Sequence, residues 1–175
     1  VSTDLRRQAW AMGVAAIDTY LHWVVHRVDL GKPLPKDLRK LEVSFEDLLA
    51  MGQASVDARK ANRRDRPQVR ARNVLHRRIL TDTYQSSRGV ETALRMAGVR
   101  DCWGQLSRTL SEPKQDLMDH LNMLSQRRNS IVHEGDIKRM SRPRALKHQE
   151  LDAAEVLKQL DWIRSFLGAL DALTQ

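Results

Sequence analysis

Cysteine occurs once in this sequence, at Cys102, which excludes an internal disulfide and a cysteine-based metal cluster. Aromatic residues make up only 5% of the chain, so a core must be assembled mainly from Leu, Val, Ile, Met and Ala. No apolar run approaches the roughly 18 residues that a membrane-spanning helix needs, and 30% of the residues are charged. Val1 to Arg7 contain no apolar signal-peptide core. The chain does not start with Met, in keeping with a trimmed protein or a piece of a longer one. No segment reads as a strand, and there is no internal repeat or low-complexity tail. These absences point to a reducing, cytoplasmic setting with no membrane partner. The length, 175 residues, suits one domain with its own core, spanning 1–175.

Positive charge is present in excess, and it is concentrated. The formal net charge is +8. Between Arg59 and Arg78 lie nine cations, namely Arg59, Lys60, Arg63, Arg64, Arg66, Arg70, Arg72, Arg77 and Arg78, opposed only by Asp65. That stretch accounts for the whole net charge. Such a patch is the electrostatic footprint of a polyanion partner, RNA among them, or else a solvated helical face or linker.

The apolar positions that remain follow helical spacing. Trp10, Val14, Ile17, Leu21, Val24 and Val28 predict a first helix from about Asp4 to about Arg27, capped by Ser2 or Thr3. Gly31 to Pro35 end it. Ser44 to Asp47 has capping-box spacing and starts a second helix that runs toward the basic stretch. Residues 59–66 read as an exposed break closed by Pro67, before a third helix with Val69, Leu75, Ile79 and Leu80. Ser87 is expected to cap a short helix that Gly98 stops. Pro113 opens a long helix with Leu117, Leu121, Leu124 and Val132, ended by Gly135. Residues 136–149 read as a loop. A last helix is predicted from about Glu150 to Leu173, with Leu157, Leu160, Ile163, Phe166, Leu167 and Leu170 inward. The predicted fold class is all-α, a bundle of long antiparallel helices with additional short ones.

The pattern breaks at Arg128. At about 100° per residue, Leu117, Leu121, Leu124, Ile131 and Val132 form one stripe, and Arg128 falls in the middle of it. A guanidinium there is costly unless it is paired or sits at an opening. Asn129 and His133 are four residues apart and share the adjacent face. One short segment thus supplies a fixed positive charge, an amide and an imidazole. The set suits phosphodiester cleavage in RNA, where the attacking 2′-hydroxyl loses a proton and negative charge builds on the phosphate oxygens. Histidine exchanges protons near neutral pH, and arginine holds the phosphate. No metal or other cofactor is required. Taken as a bare pattern, Arg-x4-His also fits an arginine paired with a buried acid and a surface histidine near a helix end.

The stretch Leu124 to Gly135, Leu-Ser-Gln-Arg-Arg-Asn-Ser-Ile-Val-His-Glu-Gly, resembles the signature of HEPN domains: an Arg, a polar residue, a short spacer and a His. Ala15 to His22 is similar to the first helix of the RiboL-PSP-type members. Tyr84 to Arg88 and Gly98 to Trp103 are similar to the middle of the same group, so the resemblance covers most of the chain. It implies a helical homodimer in which two signature segments face each other and form a composite site. It also implies metal-independent endoribonuclease activity of the toxin–antitoxin, abortive-infection or other defence kind, with a cognate antitoxin or defence-system protein as a further partner. Carried over by position, Arg128 is the phosphate-binding arginine, Asn129 the polar partner and His133 the catalytic histidine, with Arg127 able to substitute in part. The Tyr that some HEPN toxins carry two residues after the His is Gly135 here, so control by modification at that position is not implied. Some members are inactive and act as modules that bind RNA or protein, and that is the alternative function.

Other candidate residues lie outside this segment. Asp18, His22 and His26 recur at i, i+4 and i+8 on the first helix. They form either a polar strip in which Asp18 or His22 supports His133, a solvated face, or a metal site lacking a fourth ligand. The cations Arg59, Lys60, Arg63, Arg64, Arg66, Arg70 and Arg72 are the candidate RNA contacts. Trp10, Trp23, Trp103 and Trp162 are expected as core or interface anchors, and Cys102 as a packed side chain without a paired base. A basic DNA-binding regulator would fit the charge, but no helix-turn-helix pattern stands out.

Overall fold

The computed structural model describes residues 2–138 and 147–175. Its described residues form seven α-helices: α1 (Thr3–His26), α2 (Phe45–Lys60), α3 (Pro67–Ile79), α4 (Ser87–Met96), α5 (Cys102–Leu110), α6 (Lys114–Glu134) and α7 (Ala153–Thr174). A single 3-10 turn, Leu38–Lys40, lies between α1 and α2. The described residues contain no strand, only an isolated antiparallel bridge between Ile137 and His148. The all-α bundle expected from the periodicity is what forms.

Local chemistry sets the boundaries. Ser2 caps α1 by accepting from the Leu5 N–H, and Ser44 caps α2 by accepting from the Asp47 N–H. Each such cap contributes about 1 kcal/mol. Pro67 occupies the first turn of α3, where its missing N–H leaves nothing unpaired. Ser86, not Ser87, caps α4; its hydroxyl accepts from the Gly89 N–H, and Ser87 is the first helical residue. A side chain on Gly89 would collide with the backbone of Thr83 and Tyr84, so the chain before α4 rests directly on that helix. Helix α5 was not read from the sequence. It is short, and its caps Asp101 and Ser111 are both left-handed, with no cap hydrogen bond from the Asp101 side chain.

Helix α1 is the central element and packs on α7, α4, α6 and α3. Its stripe Trp10, Val14, Ile17, Leu21 and Val25 meets Leu94, Leu106, Leu117, Leu121, Leu124, Phe166 and Leu170 in one buried cluster. Burying each large aliphatic side chain contributes on the order of 1.5–3 kcal/mol. The Trp10 indole N–H donates to the Leu124 carbonyl at 3.3 Å, tying α1 to α6. Trp103 is also buried, and Trp162 stacks between His120 and Phe166. Trp23 is exposed, with the Arg27 guanidinium 4.3 Å above its ring. Four expected core positions are exposed: Val69, Leu80, Val132 and Leu157. In α7 the buried residues are Val156, Gln159, Ile163, Phe166, Ala169 and Leu170, and Leu157 lies one step off that stripe. In α6 the fully buried stripe runs to Leu124, and beyond it Ile131 is partly buried against the core while Val132 is exposed.

Helix α2 packs on α3 and contributes nothing to the central cluster. Ala58 is its one buried residue. Together α2 and α3 form an arm joined to the bundle through Leu75 and Ile79.

Candidate functional site

Arg127 and Arg128 leave α6 toward different surroundings. The Arg127 Nη2 donates to Asp136 Oδ2 at 3.0 Å, and the Arg7 Nε donates to the same oxygen at 2.9 Å. Asp136 has no exposed surface. Arg127 also reaches the Gln149 side chain and the Glu150 carbonyl, and Arg7 reaches the Gln149 carbonyl. The start of α1, the end of α6 and the segment entering α7 are thereby joined through one carboxylate. Gly135 closes α6 with φ +63°, and Asp136 follows with φ +57°, its N–H returning to the Ser130 carbonyl at 2.9 Å. The left-handed region is unfavourable for a residue with a Cβ, by roughly 1–2 kcal/mol. The two arginines holding its carboxylate offset that cost.

Arg128 has no carboxylate partner among the described residues. Its Nη1 donates to Asn129 Oδ1 at 3.1 Å, and its Nε is buried without a hydrogen-bond partner. The same Asn129 oxygen accepts from Gln85 Nε2 at 3.4 Å. Gln85 is itself fixed, because the Ser125 hydroxyl of α6 donates to its carbonyl. With its oxygen held by two donors, Asn129 presents its NH₂ outward as a donor. The result is a half-buried guanidinium beside an exposed amide donor, on a helix end that also carries the exposed His133. His133 stands one turn beyond Asn129, with no side-chain hydrogen-bond partner among the described residues. An anion such as a phosphate would meet the Arg128 Nη2, which has no partner among the described residues, and the Asn129 amide together.

Gln85 is the residue of this site that sequence reasoning did not single out. Its only signal was its place in Tyr84 to Arg88, and its reach to α6 depends on how α4 docks. The structure gives Asp18 and His22 a different placement from the expected support of His133. An Asp18 oxygen accepts the Tyr84 N–H, and the His22 ring lies 4.6 Å from the Tyr84 ring. Neither is hydrogen-bonded to His133 among the described residues; both lie against Tyr84, the residue before Gln85. Tyr84 is buried, which raises its hydroxyl above the ordinary tyrosine range. His26, the third member of that spacing, turns instead to His76, with ring centroids 5.0 Å apart. Among the described residues no group of three or more His, Cys, Asp or Glu side chains is placed to hold a metal ion. Burial raises the Cys102 thiol, as expected of a packed side chain rather than a nucleophile.

The basic stretch divides in two. Arg70 pairs with Asp65 and Ser55; Arg77 pairs with Asp47; Arg78 pairs with Asp82. Arg72 donates to the His26 and Val28 carbonyls at the end of α1 and so completes that helix terminus. Arg70 and Arg72, both expected to contact RNA, are thus engaged inside the fold. Arg59, Lys60, Arg63, Arg64 and Arg66 have no side-chain partner among the described residues and crown the tip of the α2–α3 arm. No described helix is long and apolar enough to cross a membrane.

No family model matches this chain, and neither a curated protein nor a solved structure matches it.

Proposed function

We propose that this chain is a metal-independent endoribonuclease of the toxin or defence type, acting in the cytoplasm as a HEPN-like homodimer. The observation that carries the reading is the condition of Arg128: a half-buried guanidinium with no carboxylate beside it among the described residues, bonded only to the side chain of the exposed Asn129, where Arg127 is held by Asp136. A structural arginine resembles its neighbour Arg127; an arginine reserved for an anionic ligand resembles Arg128. In this reading Arg128 and Asn129 hold the scissile phosphate. His133 takes the proton of the 2′-hydroxyl, whose oxygen then bonds to phosphorus as the bond to the 5′-oxygen breaks. A second histidine, from the other copy, gives that leaving oxygen its proton. One copy offers one His133, which is why two copies are required. Arg59, Lys60, Arg63, Arg64 and Arg66 draw RNA toward the molecule, while Arg70 and Arg72 serve the fold. A cognate antitoxin or defence-system protein is the partner expected for such an enzyme.

The test is incubation of end-labelled RNA with the protein in EDTA, followed by end-group analysis. The expected products carry a 2′,3′-cyclic phosphate and a 5′-hydroxyl, and light scattering is expected to give a dimer at micromolar concentration. One observation favours a second reading, a non-catalytic module that binds RNA or a protein partner: His133 has no side-chain hydrogen-bond partner among the described residues to orient it. Tight RNA binding without cleavage would select that reading.

A further inference from the structure

Helix α2 carries an apolar stripe that the fold leaves uncovered. Phe45, Leu49 and Val56 are 73%, 58% and 44% exposed. Gly52 lies among them, and a Cβ there would meet nothing within 4 Å. At about 100° per residue these four positions fall on one side of the helix, away from Ala58, which faces α3. Leu48, 51% exposed, forms the edge between this stripe and an open crevice of ≈ 230 Å³. Leu34, Leu41 and Met51 are among the crevice walls. The helix is about 24 Å long. At its C-terminal end Arg59 and Lys60 fall on either side of the same line, and Arg63, Arg64 and Arg66 follow. A surface helix normally turns its apolar face to the core, yet here a second apolar face, ending in unpaired cations, looks outward.

We infer that this face is a docking site for an amphipathic helix of another protein, one whose apolar side ends in a run of acidic residues. Its apolar side chains lie along Phe45, Leu49, Gly52 and Val56, with one entering the crevice beside Leu48. Its carboxylates meet Arg59, Lys60 and the cations that follow. Charge decides among the occupants. RNA phosphates would use the cations but gain nothing from the stripe. An anionic membrane would bury the stripe, but the cations gather at one end, while Glu46 and Asp57 border its length. A second copy laid antiparallel would offer Glu46 to the cations, because Asp47 is engaged by Arg77, and Arg63, Arg64 and Arg66 of each copy would stay unmatched. An acid-ended partner helix matches both halves of the surface. The inference shares these cations with the RNA-drawing role proposed above but not the α6 site, and Leu49→Glu, which should affect the peptide and not RNA, separates the two.

The probe is a fluorescently labelled synthetic peptide with leucines at helical spacing followed by a run of glutamates, titrated with the full chain and followed by anisotropy. Binding is expected. Leu49→Glu and Val56→Glu should each weaken it by about tenfold, or roughly 1.4 kcal/mol, as should the Arg63→Glu, Arg64→Glu pair. Both stripe residues are exposed, so far-UV circular dichroism and urea midpoints should stay at wild-type values. A single-stranded RNA oligonucleotide should respond to the arginine changes and not to Leu49→Glu. The inference is overturned if the glutamate peptide does not bind, if a matching peptide ending in lysines binds equally, or if Leu49→Glu leaves binding unchanged. It is also overturned if phosphatidylserine vesicles bind more tightly than the peptide, or if the chain forms a concentration-dependent dimer that Leu49→Glu abolishes.

Discussion

Arg127 and Arg128 are consecutive residues of α6, and the fold uses them in opposite ways. Arg127 meets a fully buried carboxylate, shares it with Arg7, and helps hold three segments together. Arg128 meets only the Asn129 side chain and has no carboxylate partner among the described residues. The same contrast recurs in the basic stretch, where Arg70 and Arg72 bond within the fold while Arg63 and Arg64 do not. Positive charge in a sequence therefore says little about availability; the surrounding acceptors decide it. A cation whose acceptors lie within the fold contributes stability, and one without them is open to a ligand.

The largest effect should come from removing the shared carboxylate. Asp136→Ala leaves Arg7 and Arg127 facing each other in a buried site and is expected to cost about 3–5 kcal/mol, measured by urea denaturation. Asp136→Asn tolerates the left-handed backbone but removes the charge, so it should lose most of the same stability. Wild-type stability in that variant would assign the role of Asp136 to its backbone rather than to its ion pairs.

The two arginines should then separate. Arg127→Ala, which leaves Asp136 still paired with Arg7, should cost about 1.5–3 kcal/mol, and the folded fraction should retain RNA cleavage. Arg128→Ala should cost less than about 1 kcal/mol and abolish cleavage. The reverse outcome, inactivity of a well-folded Arg127→Ala protein, would move the phosphate-binding role to Arg127.

The smallest effect concerns like charges rather than opposite ones. Desolvation holds His26 below the ordinary histidine value of 6.5, and the nearby His76 and Arg72 add to the shift. The folded state therefore binds fewer protons than the unfolded state just below pH 6.5, so stability falls as pH drops through that value and levels off below the folded pKa. His26→Asn should flatten the profile between pH 7 and 5, as followed by thermal melts in that range. A profile equal to wild type would remove His26 from the account.

The bundle was legible in the sequence because its long helices carry unbroken periodic stripes: Trp10 to Leu21 in α1 and Ile163 to Leu170 in α7 are both buried as expected. Helix α5 was missed because it is short and both its caps are left-handed, without a capping signal. In the candidate site Arg128 and Asn129 could be placed, since neighbours on one helix follow from spacing alone. That Arg127 is engaged by Asp136 could not be read, because this pairing depends on a reversal of the chain after Gly135 and on the docking of α1. Gln85 was equally hidden, lying more than forty residues before Asn129, the residue it touches. The apolar face of α2 reads in sequence like any core-facing stripe, and only the absence of a covering element distinguishes it.

The central claim is that the open face of α6 performs acid–base chemistry on RNA. The most direct test is the cleavage rate of His133→Ala in EDTA, with the fold checked by circular dichroism and the dimer by light scattering. His133 is exposed and bears little packing, so both should be retained. Loss of a general acid or base lowers a rate by typically about 10²–10⁴-fold, and a fall of that size is the expected result. A His133→Ala protein that cuts RNA as fast as wild type would contradict the account.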